Sequence, residues 1–180
     1  IDLLLETHRP THIVLGPGPS EPTASDLTMK FAYWALNTDS PLPTLGLCLG
    51  HQALGLADGW TLNRTSTGAV HGVPMNIEHV SSGLFVDSDD SPTMMRYHSL
   101  SITSPKENKN QQLAANAWVE PTGLIMGVEA IGRPVHGVQF HPESCGSPEG
   151  RGMFKAFLQL ECDVFRTPLA DSSPTTKQQD

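Results

Sequence analysis

The stretch LPTLGLCLGHQALGLADG, residues 42–59, decides the fold that we expect. Its first half is a short apolar run typical of a strand. Its second half has Ala and Leu at helical spacing, with Gly59 as the stop. Cys48 stands at the junction, framed by Gly46 and Gly50. A strand that enters a helix through so tight a turn needs small neighbours, and it lifts the turn residue to the edge of the sheet.

Strand and helix patterns alternate along the rest of the chain. Compact strand patterns occur at 11–15 (THIVL) and 134–140 (PVHGVQF), and amphipathic helical patterns occur at 24–36 and 151–160. Between them, 113–131 reads as two strands around a Pro-Thr-Gly turn. This alternation predicts an α/β fold with a mostly parallel sheet.

Composition limits the classes of partner and compartment. The net charge of −8 argues against a nucleic-acid backbone or an anionic membrane surface. No apolar run reaches the roughly 20 residues of a membrane span. Three cysteines do not make a disulfide framework, which favours a reducing, cytoplasmic location. We expect one domain over residues 1–165 and a disordered polar tail over 166–180.

Three strand ends carry unusual residues, and a parallel sheet would bring them to one edge. They are the GPGPSEP turn from Gly16, Cys48, and His141 after Phe140. A thiol at a helix N-terminus is expected to have its pKa lowered from about 8.5. Glu143, two residues after His141, would hold one imidazole nitrogen while the other faces the thiol. Taken singly, each feature also has a purely structural explanation. Cys48 could be a buried core cysteine, the His141–Glu143 segment a surface loop, and GPGPSEP an ordinary Pro/Gly turn.

Three segments together resemble the class I, or triad, glutamine amidotransferases: GLCLGHQ (46–52), RYHSL (96–100) and HGVQFHPES (136–144). The resemblance covers about residues 10–160 and is nearest to the glutaminase components of aminodeoxychorismate synthase and anthranilate synthase. AVHGVPMNI and TMMRYHSLSI resemble this chorismate-using branch more than the GMP synthetase or carbamoyl-phosphate synthetase branches. The family implies a three-layer, flavodoxin-like α/β fold.

The resemblance also implies a role for each matched residue. Cys48 would attack the side-chain amide of glutamine, and His141, oriented by Glu143, would act as base and then as acid. The N–H groups of Gly18 and Leu49 would form the oxyanion hole. The residues implied to hold glutamine are Gly18, Pro19, Ser20, Gln52, Ser99 and Leu100. The glutaminase step would need no metal and no organic cofactor.

The partner implied by the resemblance is a chorismate-binding synthase, as a separate subunit or a fused module. It would receive the ammonia and make anthranilate or 4-amino-4-deoxychorismate. The sequence leaves that choice open, and overall likeness leans towards the folate-side enzyme.

Two features depart from the family pattern. Ser20 occupies a position where the family often has glycine. The strand, helix and strand with which the family begins are not found before THIVL, so we expect an incomplete N-terminal part of the domain and an unpaired sheet edge.

Three other interpretations remain. An inactive amidotransferase-like domain could bind and regulate a partner. A cysteine hydrolase of the α/β-hydrolase type also has a G-x-C-x-G turn, although its acid precedes its histidine. A metal site is the third, but no acid joins His71, His98, His136 and His141 at ligand spacing.

Overall fold

The structure is a computed structural model of the 180-residue chain, and it describes residues 1–65, 68–106 and 111–160. The polar tail expected at 166–180 lies outside the described residues. The domain boundary expected at residue 165 lies there too and stays a prediction.

Four helices and ten strands make up the described part of the chain. The helices are α1 (Asp2–His8), α2 (Asp26–Asn37), α3 (Leu49–Ala57) and α4 (Gly150–Leu158). The strands are β1 (Ile13–Leu15), β2 (Thr44–Leu47), β3 (Thr61–Arg64), β4 (Val70–Asn76), β5 (Glu78–His79), β6 (Thr93–His98), β7 (Leu100–Thr103), β8 (Leu113–Val119), β9 (Leu124–Ala130) and β10 (Val135–Val138). Short 3-10 turns lie at Pro22–Ala24 and Gly83–Phe85.

The central sheet has six strands in the order β1-β2-β10-β9-β8-β5. Only β1, β2 and β10 run parallel, and the other pairs in this sheet are antiparallel. The α/β class is confirmed, but the expectation of a mostly parallel sheet is wrong. The links from β8 to β9 and from β9 to β10 are too short for the crossover that parallel neighbours require, so these strands pair antiparallel.

Helices cover both faces of the sheet, which gives the expected three layers. On one face, α2 and α3 place Leu36 and Leu54 against Leu15 of β1 and Val135 of β10. On the other face, α4 buries Phe157 in a second core. Apolar cores therefore cover the sheet on both sides.

Strand β1 is the outer strand of this sheet, and no strand of the described residues pairs with its far side. Its Val14 is half exposed. Helix α1 precedes β1, and its left-handed cap at Arg9 turns the chain towards the strand. Within the described residues, no helix is both long and apolar enough to cross a bilayer.

Candidate active site

The turn at Cys48 has the geometry that the flanking glycines predicted. Cys48 joins β2 to α3 with φ 49° and ψ −94°, a conformation that side chains rarely adopt. A Cβ on Gly50 would lie 2.1 Å from the carbonyl oxygen of Leu15, and one on Gly46 would lie 2.6 Å from the Gly50 backbone. Glycine at both positions therefore lets α3 begin directly against β1 and β2.

The thiol of Cys48 is buried, with 7% of the residue exposed. Burial raises its pKa to about 11, and the charge of Glu143 adds to the rise. Hydrogen bonds from the Leu49 N–H and the Gln139 side chain work in the opposite direction. The lowered pKa expected from the helix N-terminus is therefore wrong for this resting site, because desolvation of a thiolate outweighs the backbone donor.

His141 and Glu143 form a close pair. Nδ1 of His141 lies 2.6 Å from Oε1 of Glu143. A carboxylate accepts only, so the neutral imidazole carries its proton on Nδ1 and keeps a lone pair on Nε2. Nε2 is buried and has no hydrogen-bond partner among the described residues. One nitrogen is thus held and the other is left free to accept a proton.

Contacts with β6 and with Ser147 hold His141 in place. Its backbone N–H donates to the Met95 carbonyl at 2.9 Å, and its carbonyl accepts from Ser147 Oγ at 2.7 Å. Its ring meets that of Tyr97 edge to face at 5.1 Å. The backbone after β10 is therefore tied to β6, which limits rotation of the imidazole.

Adjacent parallel strands bring the thiol and the His–Glu pair to the same edge. Val138 of β10 is in register with Leu47 of β2, and the Cys48 N–H donates to the Val138 carbonyl at 2.9 Å. Gln139 comes next and reaches Cys48 Sγ with its Nε2 at 3.5 Å. The edge predicted from sequence is therefore formed by neighbouring strands.

Gln139 is a residue of this edge to which sequence reasoning gave no role. It is fully buried, and its Oε1 accepts from Gln52 Nε2 at 3.1 Å while its own Nε2 faces Cys48. Pairing the end of β10 with the end of β2 would have pointed to it, because it follows Val138 as Cys48 follows Leu47.

Gln52 lies on the first turn of α3, and its N–H donates to the Cys48 carbonyl at 3.1 Å. The residue is 3% exposed, and besides Gln139 its side chain donates to the Leu100 carbonyl at 3.3 Å. That carbonyl also accepts from Nδ1 of His98 at 2.9 Å, and the Ser99 carbonyl accepts from the Thr65 N–H. Gln52 and Leu100 are thus linked to the nucleophile turn through hydrogen bonds, whereas Ser99 contacts Thr65.

The GPGPSEP turn lies beside the start of α3. A Cβ on Gly18 would lie 3.4 Å from Leu49 Cδ1. Gly18, Pro19, Ser20 and Leu49 line a cavity of about 460 Å³. Ser20 has φ 72°, the left-handed region that favours glycine, so the departure from the family pattern carries backbone strain.

The histidines considered as metal ligands are not arranged to hold a metal ion. The described residues contain no group of three or more His, Cys, Asp or Glu side chains placed to hold a metal ion. The acid that contacts His141 follows it in the chain, whereas it precedes the histidine in α/β-hydrolases. The geometry therefore fits a Cys, His, Glu order.

Comparison with known proteins agrees with this arrangement. The glutamine amidotransferase class-I family matches residues 2–160. Aminodeoxychorismate synthase component 2 of Serratia marcescens is 35% identical over 86% of this chain and 79% of its own length. Anthranilate synthase component 2 of Thermus thermophilus is 35% identical over 86% of this chain and 73% of its own length. The chain spans only 20% of the length of the aminodeoxychorismate synthase of Streptomyces griseus, against 79% of the Serratia marcescens protein.

Among solved structures, a GMP synthase protein of Thermoplasma acidophilum superposes with a TM-score of 0.70. The match covers 85% of this chain and 73% of that protein, at 21% identity, and shows the same fold.

The fold and the site define an α/β protein with a cysteine at a strand-to-helix turn and a histidine–glutamate pair just after the neighbouring strand. The chain belongs to the class I glutamine amidotransferase family.

Proposed function

We propose that this protein is the glutaminase component of a chorismate-aminating synthase, and that Cys48, His141 and Glu143 are its catalytic residues. The observation that carries the proposal is the His141 ring, held by Glu143 through Nδ1 with Nε2 buried and free. A thiol nucleophile needs such a base, and the base needs such an orienting acid.

In this mechanism, His141 Nε2 takes the Cys48 proton as Sγ attacks the side-chain amide carbon of glutamine. The N–H groups of Leu49 and Gly18 stabilise the oxyanion. His141 then protonates the departing ammonia, and water, activated by the same imidazole, releases glutamate from the thioester. The cavity beside Gly18, Pro19, Ser20 and Leu49 receives part of the glutamine. Gln52, Ser99 and Leu100 complete its binding site.

The synthase partner binds chorismate and consumes the ammonia, either as a separate subunit or as a fused module. Relatives named for both aminodeoxychorismate and anthranilate synthesis match at the same identity, so both products stay open within this proposal. The proposed location is the cytoplasm, and neither nucleic acid nor membrane is a proposed partner.

Mixing the chain with candidate synthase subunits, chorismate and glutamine tests the function and identifies the product. Cys48→Ala should abolish glutamine-dependent amination while the partner's ammonia-dependent amination continues. Loss of both activities, or of neither, would contradict the assignment. Cys145→Ala, at an exposed cysteine, is the matched control and should leave both activities unchanged.

A glutamine-analogue electrophile separates an active site from an inactive, amidotransferase-like one. It should label Cys48 in preference to Cys145 and Cys162. Labelling should fall strongly in His141→Ala, since the base is lost, and no labelling of Cys48 even with the synthase present would favour the regulatory alternative.

A further inference from the structure

A second cavity, of about 490 Å³, lies among β4, β6 and the β8–β9 turn. Its volume falls in the range of roughly 300–1,000 Å³ that is usual for small-molecule sites. None of the residues proposed for glutamine hydrolysis lines it. Most of its wall is apolar, including Val70, Val73, Met75, Val119, Pro121 and Leu124.

Arg96 is the buried charge in this wall. The residue is 2% exposed. Its Nε donates to Nε2 of His98 at 3.0 Å, and its Nη1 lies 2.8 Å from Sδ of Met75. Nη2 is buried and has no partner among the described residues. Two nitrogens of the guanidinium are thus occupied, and the third is left with unused donors.

Neither neighbour compensates the charge of Arg96. Burial lowers the pKa of His98 to about 4, so this ring is neutral near pH 7, and the thioether of Met75 has no charge. The ion pairs within the described ranges, Lys30–Asp26 and His141–Glu143, do not include Arg96. A guanidinium stays charged at all ordinary pH values, and leaving it buried without an anion is costly.

We propose that this cavity binds a small organic carboxylate with an apolar body. The carboxylate would accept from the guanidinium of Arg96, which lines the cavity, while the body packs against the aliphatic wall. His98 and Met75 hold the guanidinium in place beforehand, which reduces the entropy lost on binding. Glu120 is exposed and lines the same cavity, so its charge weakens binding of any anion there. The site does not depend on the proposed glutaminase activity.

Benzoate and benzamide test the proposal, because they have nearly the same shape and differ in charge. The 180-residue chain is titrated with each and followed by backbone amide NMR. Benzoate should bind at least about tenfold more tightly than benzamide, the gain expected for a hydrogen bond to a charged group. The shifted signals should include Val70 and Leu124. Equal affinities, absence of saturable binding, or shifts confined to the Cys48 turn would overturn the proposal.

Variants separate the cavity from general effects of charge. Arg96→Met should remove the preference for benzoate. Because this residue is buried and its loss can unfold the chain, Val73→Trp is the second variant: it fills the cavity from β4 and should weaken both probes. Val80→Trp is the matched control, with 49% exposure against 44% for Val73, and should bind as the wild type does.

Glu120→Gln should change benzoate affinity in the opposite direction. Removing this charge should raise benzoate affinity several-fold and leave benzamide unchanged. Unchanged benzoate binding in both Val73→Trp and Glu120→Gln would show that the ligand binds elsewhere, and the proposal would fail.

Discussion

Gly50→Ala tests the packing that places Cys48. The new Cβ would lie 2.1 Å from the Leu15 carbonyl oxygen, whereas ordinary contacts begin near 3.4 Å. To reach ordinary contact, the two atoms must separate by about 1.3 Å, the difference between those distances. The obstacle is the backbone of β1, so no side-chain rotation relieves it, and α3 must move away from the sheet.

The expected cost follows from two opposing effects. Overpacking a core costs about 1–3 kcal/mol, and a clash with backbone belongs at or above the upper end of that range. Alanine recovers about 1 kcal/mol of helix propensity over glycine. We therefore expect Gly50→Ala to lower the free energy of unfolding by about 2–3 kcal/mol, which is a thirtyfold or greater fall in the folded-to-unfolded ratio.

Urea unfolding followed by tryptophan fluorescence measures this change, since Trp60 is buried beside α3. Gly152→Ala is the matched control: it is also a helical glycine, but a Cβ there meets nothing within 4 Å. It should raise the free energy of unfolding by about 0.5–1 kcal/mol. If Gly50→Ala unfolds at the same urea concentration as Gly152→Ala, then Gly50 is not required for the close packing of α3 against β1.

Three further predictions concern strain, the thiol and buried histidine. Ser20→Gly should raise the free energy of unfolding slightly. Relief of the backbone strain at φ 72° is worth about 1–2 kcal/mol, which exceeds the cost of about 0.5–1 kcal/mol from the greater entropy of the unfolded chain. A fall in the urea midpoint would contradict this. Without glutamine, the rate at which iodoacetamide alkylates Cys48 should keep rising towards pH 11 and should be lower than that of Cys145 at pH 7. Mass spectrometry of digests measures both rates, and faster labelling of Cys48 at pH 7 would contradict this. Burial lowers the pKa of His98 to about 4 and that of His51 to about 3. Below pH 6.5 the unfolded chain therefore binds protons that the folded protein does not, and the urea midpoint should fall as the pH is lowered from 6.5 to 4. A flat profile would refute the burial of these rings.

The sequence was sufficient for the parts of the fold that local patterns determine. Gly46 and Gly50 on either side of Cys48 predicted a strand-to-helix turn. Few other residues are tolerated where a helix begins directly against a strand, because their side chains would clash with its backbone. The hairpin of β8 and β9 followed from its turn residues, and both are as expected. The antiparallel pairing of β9 with β10 and of β5 with β8 was not foreseen, because strand order is set by the lengths of the connections and by tertiary packing.

Only part of the candidate site could be predicted from the sequence. His141 and Glu143 are close in the chain, so their pairing was predictable from spacing alone. Gln139 acquires its contact with Cys48 only from the register between β10 and β2. The thiol pKa was predicted with the wrong sign, because the helix N-terminus is visible in the sequence whereas the depth of burial is not.

The raised pKa of the thiol changes how the proposed triad must work. With a pKa of about 11, only about one Cys48 in ten thousand is a thiolate at pH 7. Glu143 contributes to this, since its charge disfavours a second anion nearby, and its Oε1 also holds Nδ1 of His141. We infer that the thiolate forms together with the imidazolium rather than before it. The free Nε2 of His141 is therefore needed during attack, and near pH 7 the buried thiol reacts slowly unless this imidazole takes its proton.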